Sequence, residues 1–270
     1  MKRYISGKKR VYGGLSFNEK EEPIFDWYSD DSKKDVVRLT KESSGSFDED
    51  DVRYIYGYQY NPNATEQSKR TFRKFIKNLS PDNDVYYEDD VDDFIAYGVL
   101  QIEHYEKFSN FGALVHVEPS KPNSLVDEIG IHIADYISCP YTDFALIKRM
   151  CKDVILDIAK IEQTLIDNKY TQINIDKTIR KIQNEFDNLI DKQKLFTMKK
   201  FIPRIIRDSF EDFLIFKNDE DRKLYESLQG VDVLIYDDLL TSGATVKEVI
   251  RCLKSIHDEN RLTVFVLVKQ

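Results

Sequence analysis

The rhythm of apolar and polar positions divides the chain into three parts. Up to about residue 60 the pattern is irregular and rich in Ser, Asp, Lys and Tyr, with one alternating run. That run, YIYGYQY at Tyr54–Tyr60, reads as a strand of a small sheet presenting aromatics. SKRTFRKFIKNLSP then has helical spacing and stops at Pro81. EDDVDDFIAYGVLQIEHYEKF is a better helix, because its opening acids favour the positive end of the helix dipole. Val91, Phe94, Ile95, Val99 and Ile102 form its apolar stripe.

From Phe111 the rhythm changes. GALVHVEPSKPN is a short apolar strand interrupted by Pro119, and SLVDEIGIHIADYI follows with Ser124 as N-cap and helical periodicity. DFALIKR is a second buried strand. Residues 149 to about 195 read as a helical pair, and the basic segment MKKFIPRIIRDSF leads into a strand at EDFLIF. VDVLIYDD is a strand, a helix runs from Ala244 to about Ile256, and RLTVFVLVKQ is a last strand. The alternation predicts an α/β fold, a doubly wound and mostly parallel sheet covered by helices. An extra α+β region at 1–108, an accessory or hood region, precedes a main domain at 109–270, which carries a helical insertion at 150–198.

Composition narrows the classes. With 270 residues, 41% of them hydrophobic, the chain can bury a sizeable core. A net charge of −8 argues against broad non-specific nucleic-acid binding, though not against a local basic patch. Cys139, Cys151 and Cys252 have no metal-ligand spacing and fit reduced thiols, and no apolar segment follows the basic N-terminus. No apolar run reaches membrane length, so a soluble, cytoplasmic protein with no membrane partner is expected. His104, His116, His132 and His257 do not cluster, and His116 reads as a packed strand residue. Arg149 follows a strand end, from which it reaches either the edge of a site or a salt bridge at a helix start.

The chemistry concentrates in LIYDDLLTSGATVKEVI, residues 234–250. Val233, Leu234 and Ile235 are too apolar for a surface strand. Ligands of such sheets bind beyond the carboxyl ends of the strands, where Asp237 and Asp238 emerge. Two adjacent carboxylates repel and require a cation, hydroxyl donors or water. The loop behind them supplies the complementary half: helix-start amides, Gly243, Ala244, and the hydroxyls of Thr241, Ser242 and Thr245 make an anion cradle. Acids for sugar hydroxyls beside amides for a phosphate imply a ribose 5-phosphate moiety. No GxxxxGK[ST] or GxGxxG is present, and the adjacency of the two Asp does not fit a D-x-D-x-T phosphotransfer motif.

VLIYDDLLTSGAT, Val233–Thr245, resembles the signature of type I phosphoribosyltransferases that binds 5-phosphoribosyl 1-diphosphate (PRPP). It departs only at Tyr236, where the family usually has a smaller apolar residue. The layout of signature, helix and strand is similar to the competence-associated branch, and the likeness covers about 111–150 and 200–270. By that resemblance, Asp237 and Asp238 are the catalytic pair, binding the ribose hydroxyls and Mg²⁺, and Thr241, Ser242, Gly243, Ala244 and Thr245 hold the 5-phosphate. Ser120 and Lys121 correspond to the pyrophosphate loop, although an ordinary proline turn also explains them. Lys200 and Arg207, in a segment with Lys199 and Arg204, are candidate pyrophosphate contacts or a solvated face. The implied activity is Mg²⁺-dependent transfer of the phosphoribosyl group to a nitrogen of a base, nucleotide or nucleic-acid end. The alternative is a non-catalytic sensor of PRPP or nucleotide on the same fold. The apolar stripes of the helical insertion need a partner, and a homodimer would supply one.

Overall fold

A computed structural model describes residues 14–21, 23–26, 37–39, 52–78, 88–105, 111–119, 125–136, 142–197, 202–240 and 243–269. The described strands are β1 (Gly14–Phe17), β2 (Pro23–Asp26), β3 (Val37–Leu39), β4 (Arg53–Tyr60), β5 (Phe111–Val117), β6 (Thr142–Lys148), β7 (Leu214–Phe216), β8 (Asp232–Leu240) and β9 (Arg261–Lys269). The helices are α1 (Glu66–Asn78), α2 (Glu88–Tyr105), α3 (Leu125–Tyr136), α4 (Ile158–Asp167), α5 (Gln172–Asp191), α6 (Asp219–Glu226) and α7 (Ala244–Lys254). All nine strands form one sheet in the order β2-β1-β3-β4-β9-β8-β5-β6-β7. The five central strands, β4 to β6 in that order, pair in parallel, and both flanks are antiparallel. The fold is mixed α/β with a mostly parallel central sheet, as the sequence predicts.

The two crossovers leave the centre in opposite directions. β5 passes through α3 to β6, towards one edge, whereas β8 passes through α7 to β9, towards the other. Right-handed crossovers in opposite directions put their helices on opposite faces, and the core divides accordingly. Leu125, Val126, Ile129 and Ile133 of α3 pack in one cluster with α1, α2, Leu234 and Tyr236. Val246, Val249, Ile250 and Leu253 of α7 pack in another with α4, α5, Val233 and Ile235. Alternation along β8 thus feeds both cores, and the strand order reverses between β5 and β8.

The helical insertion buries its apolar stripes within the chain. Ile161, Leu165, Ile175, Ile182, Phe186 and Leu189 join the α7-side core beside Phe196, Ile206 and Phe210. Its first helix starts later than the periodicity suggests: Cys151–Asp153 is a 3-10 turn, Ile155 bridges Glu211, and Asp157 caps α4 by accepting from the Lys160 amide at 3.0 Å. An element beyond those predicted is α6, whose start carries an Asn218 cap, accepting from the Asp221 amide at 2.7 Å, and acids in its first turn.

The aromatic run also sits differently from its expectation. β4 belongs to the main sheet, parallel to β9, with Tyr54, Tyr56 and Tyr58 in the core. Tyr58 stacks on Phe94 with ring centroids 4.2 Å apart, and its hydroxyl donates to the Phe94 carbonyl at 2.7 Å. Among the described residues no helix is long and apolar enough to cross a membrane.

Candidate functional site

The site begins where β5 and β8 part. Their ladder ends at Val115–Ile235, while β8 runs on beside β9 as far as Leu240–Lys269. The gap opens at Tyr236 and Asp237, at the carboxyl ends of two strands flanking the point where strand order reverses, which is where open α/β sheets bind ligands. The acids are the sixth and seventh of the nine residues of β8, and the strand runs on past them to Leu240.

Asp237 follows Val233 and Ile235 on the α7 side of the sheet, and Asp238 follows Leu234 and Tyr236 on the α3 side. Both are half-buried. Asp237 accepts from the Asp238 amide at 2.9 Å, and among the described residues no ion pair neutralises it. Burial, and secondarily the charge of Asp238, push its carboxyl well above the usual carboxylate range. The Asp238 amide and the positive charge of Lys148 oppose that push.

Of the anion cradle, Gly243, Ala244 and Thr245 are described. Gly243 caps α7 at φ 77°, a left-handed conformation that favours glycine, although a side chain there would meet only Leu240 at 3.8 Å. Its carbonyl accepts from the Lys247 amide at 2.8 Å. Ala244 is buried and Thr245 half-buried in the first turn, where backbone amides have no acceptor within the helix. Thr241, Ser242, Ser120, Lys121, Lys199 and Lys200 lie outside the described residues, as does the side chain of Arg204. Arg207 sits in a 3-10 turn, Arg204–Ser209, and its Nε donates to the Ile202 carbonyl at 3.4 Å. Among the described residues Arg149 makes no ion pair, and its buried Nε has no hydrogen-bond partner, so the helix-start salt bridge does not form.

Tyr236, the departure from the family pattern, is tied into a polar cluster on the α3 face. Its hydroxyl donates to Asp143 Oδ2 at 3.1 Å and lies 3.1 Å from His116 Nδ1, which is itself 3.0 Å from Asp143 Oδ1. A nitrogen facing a carboxylate carries the proton, so His116 Nδ1 is the donor to Asp143. Gly130 of α3 makes the room, since a Cβ there would stand 2.7 Å from the tyrosine hydroxyl. The cluster joins β8, β5 and β6 just before the acids emerge. Tyr236→Phe is expected to lower stability by about 1 kcal/mol, the typical net worth of such a bond. That corresponds to a melting temperature roughly 2–4 °C lower in calorimetry.

Sequence reasoning missed Asp143 and Lys148. Both belong to a strand identified by its apolar residues alone, and alternation relative to Phe144 and Leu146 was the signal that could have assigned their faces.

No protein-family model matches the chain, and no curated protein matches it. Among solved structures it is similar to a hypoxanthine phosphoribosyltransferase from Staphylococcus aureus in two crystal forms. The tetragonal form matches at 9% identity and TM-score 0.34, covering 74% of this chain and 71% of that one. The orthorhombic form matches at 10% identity and TM-score 0.33, covering 73% and 71%.

Proposed function

We propose that the protein binds PRPP, with Mg²⁺, in the crevice between β5 and β8 and transfers its phosphoribosyl group to a nitrogen acceptor, releasing pyrophosphate. The observation that carries this reading is the placement of Asp237 and Asp238 at the carboxyl end of β8, beside the first turn of α7, at the reversal of strand order. Acids that accept from hydroxyls and amides that hold an anion then face one ligand from two sides.

In this reading Asp237 and Asp238 accept hydrogen bonds from the ribose 2- and 3-hydroxyls. The α7 amides with Thr245, joined by Thr241 and Ser242, hold the 5-phosphate. Two hard oxygen donors on adjacent residues suit Mg²⁺, which takes one or two carboxylates and fills its shell with ligand phosphates and water. Bound there, the ion would neutralise charge building on the leaving diphosphate. The bond from C1 to the diphosphate oxygen breaks, the acceptor nitrogen forms its bond to C1, and the acceptor's proton passes to solvent. The ring carries oxocarbenium character between these events, as in glycoside cleavage. The protein's part is to orient the sugar and to offer preorganised charge.

Calorimetric titration with Mg²⁺ and PRPP is expected to show saturable binding, and pyrophosphate release should follow with one member of a panel of bases, nucleosides and nucleotides. Absence of binding would defeat the reading, and binding without release across the panel would leave the sensor.

A further inference from the structure

We propose that Lys148 receives the diphosphate end of the ligand across the mouth of the crevice, an inference that rests on the PRPP-binding reading above. Lys148 closes β6, and alternation places its side chain with Phe144 and Leu146 on the α7 face. Asp237 follows Val233 and Ile235 on that same face of β8. Only β5 lies between these strands, so the two backbones stand about 10 Å apart, two strand spacings. The parallel register sets Lys148 beyond Leu146, the partner of Val117, and hence level with the exit of β5 at Glu118 and Pro119.

The state of the side chain gives the argument its direction. Lys148 is half-buried, and among the described residues its ammonium forms no ion pair or hydrogen bond. Lys217, whose amide donates to the Ala145 carbonyl of β6, is engaged with Glu118 at 3.1 Å, whereas Arg149, next along the chain, shares with Lys148 the lack of an ion pair among the described residues. A half-buried ammonium without a partner loses hydration and receives nothing in exchange. It faces an acid too distant for a direct pair, yet near enough for its charge to be felt at Asp237. A group that is cationic towards the acid and anionic towards the lysine fills such a gap, and a diphosphate carrying a divalent ion has that polarity. A ribose 5-phosphate without the diphosphate does not reach it. Lys148 would therefore discriminate between the two ligands.

Calorimetry on the full chain, with Lys148→Met and Lys148→Arg, tests this against three probes: pyrophosphate with Mg²⁺, PRPP with Mg²⁺, and ribose 5-phosphate. Loss of one charge-assisted contact should weaken pyrophosphate and PRPP on the order of 10- to 100-fold in Lys148→Met. Ribose 5-phosphate should bind that variant as it binds the intact protein, and Lys148→Arg should recover most of the loss. Intact pyrophosphate affinity in Lys148→Met, or an equal loss for all three probes, would overturn the assignment while leaving PRPP binding by the unaltered protein standing. Failure of the unaltered protein to bind any probe would overturn both readings.

Discussion

Asp237→Asn combined with Asp238→Asn is expected to abolish PRPP binding while making the protein more resistant to heat at neutral pH. The binding loss follows from removing two charged acceptors, each worth about 1.5–3 kcal/mol to a hydroxyl or ion, so a fall of roughly 100-fold or more is anticipated. The gain in stability follows from the raised carboxyl of Asp237. An unfolded Asp ionises near pH 3.9 or so, whereas the folded group holds its proton to higher pH. Between those two values the folded state binds more protons than the unfolded state, and stability falls as pH rises. Above the folded value that loss is complete and constant. Asparagine carries no such penalty, so the variant's advantage should be present at pH 7 and vanish below about pH 4, where both states of the native acid are protonated. Thermal melts at the two pH values, with calorimetry at the higher one, check both halves. A double variant that still binds PRPP would show that the acids do not read the sugar. One that is less stable at neutral pH would mark them as structural.

Gly57→Val is expected to be the most damaging single substitution away from the crevice. A Cβ at position 57 would stand 2.9 Å from the Leu267 carbonyl oxygen and 3.0 Å from Gly98 Cα. Both obstacles are backbone, so neither can swing aside, and α2 would have to lift from β4 and β9. Lifting it would disturb the Tyr58–Phe94 stack and the hydrogen bond between those residues. Overpacking of this kind costs about 3 kcal/mol, which lowers the melting temperature by roughly 6–12 °C in a chain of this size. Denaturant unfolding of Gly57→Val beside Gly57→Ala measures it. Because β9 separates β4 from the acid-bearing strand, PRPP affinity per folded molecule should not change. An unaltered midpoint for the valine variant would refute the close helix–sheet approach.

What was legible in the sequence was local. Val233–Ile235 announced a strand buried on both faces, the acids after it marked the strand's binding end, and the helical spacing after Gly243 placed α7. The helices of the insertion were legible as elements, but not the start of the first. Val154 and Ile155 fit its apolar spacing, yet Ile155 pairs with Glu211, more than fifty positions away. β4 shows the same limit: its parallel partner β9 lies some two hundred residues downstream, and no local pattern encodes that choice. Nor did Tyr236 disclose its function from its own neighbourhood. Its two hydrogen-bonding partners come from β5 and β6, and the space for its ring comes from a glycine on α3.

The position of β9 between β4 and β8 has a consequence for how the chain assembles. β4 precedes β9 by some two hundred residues, yet among the described strands it joins β8, β5 and β6 in the sheet through residues 261–269. During translation β4 must wait, with one pairing edge uncovered, until some two hundred further residues have been made. Closure by so distant a partner raises contact order and slows folding. The waiting edge is an invitation to misassembly that a chaperone would be well placed to shield.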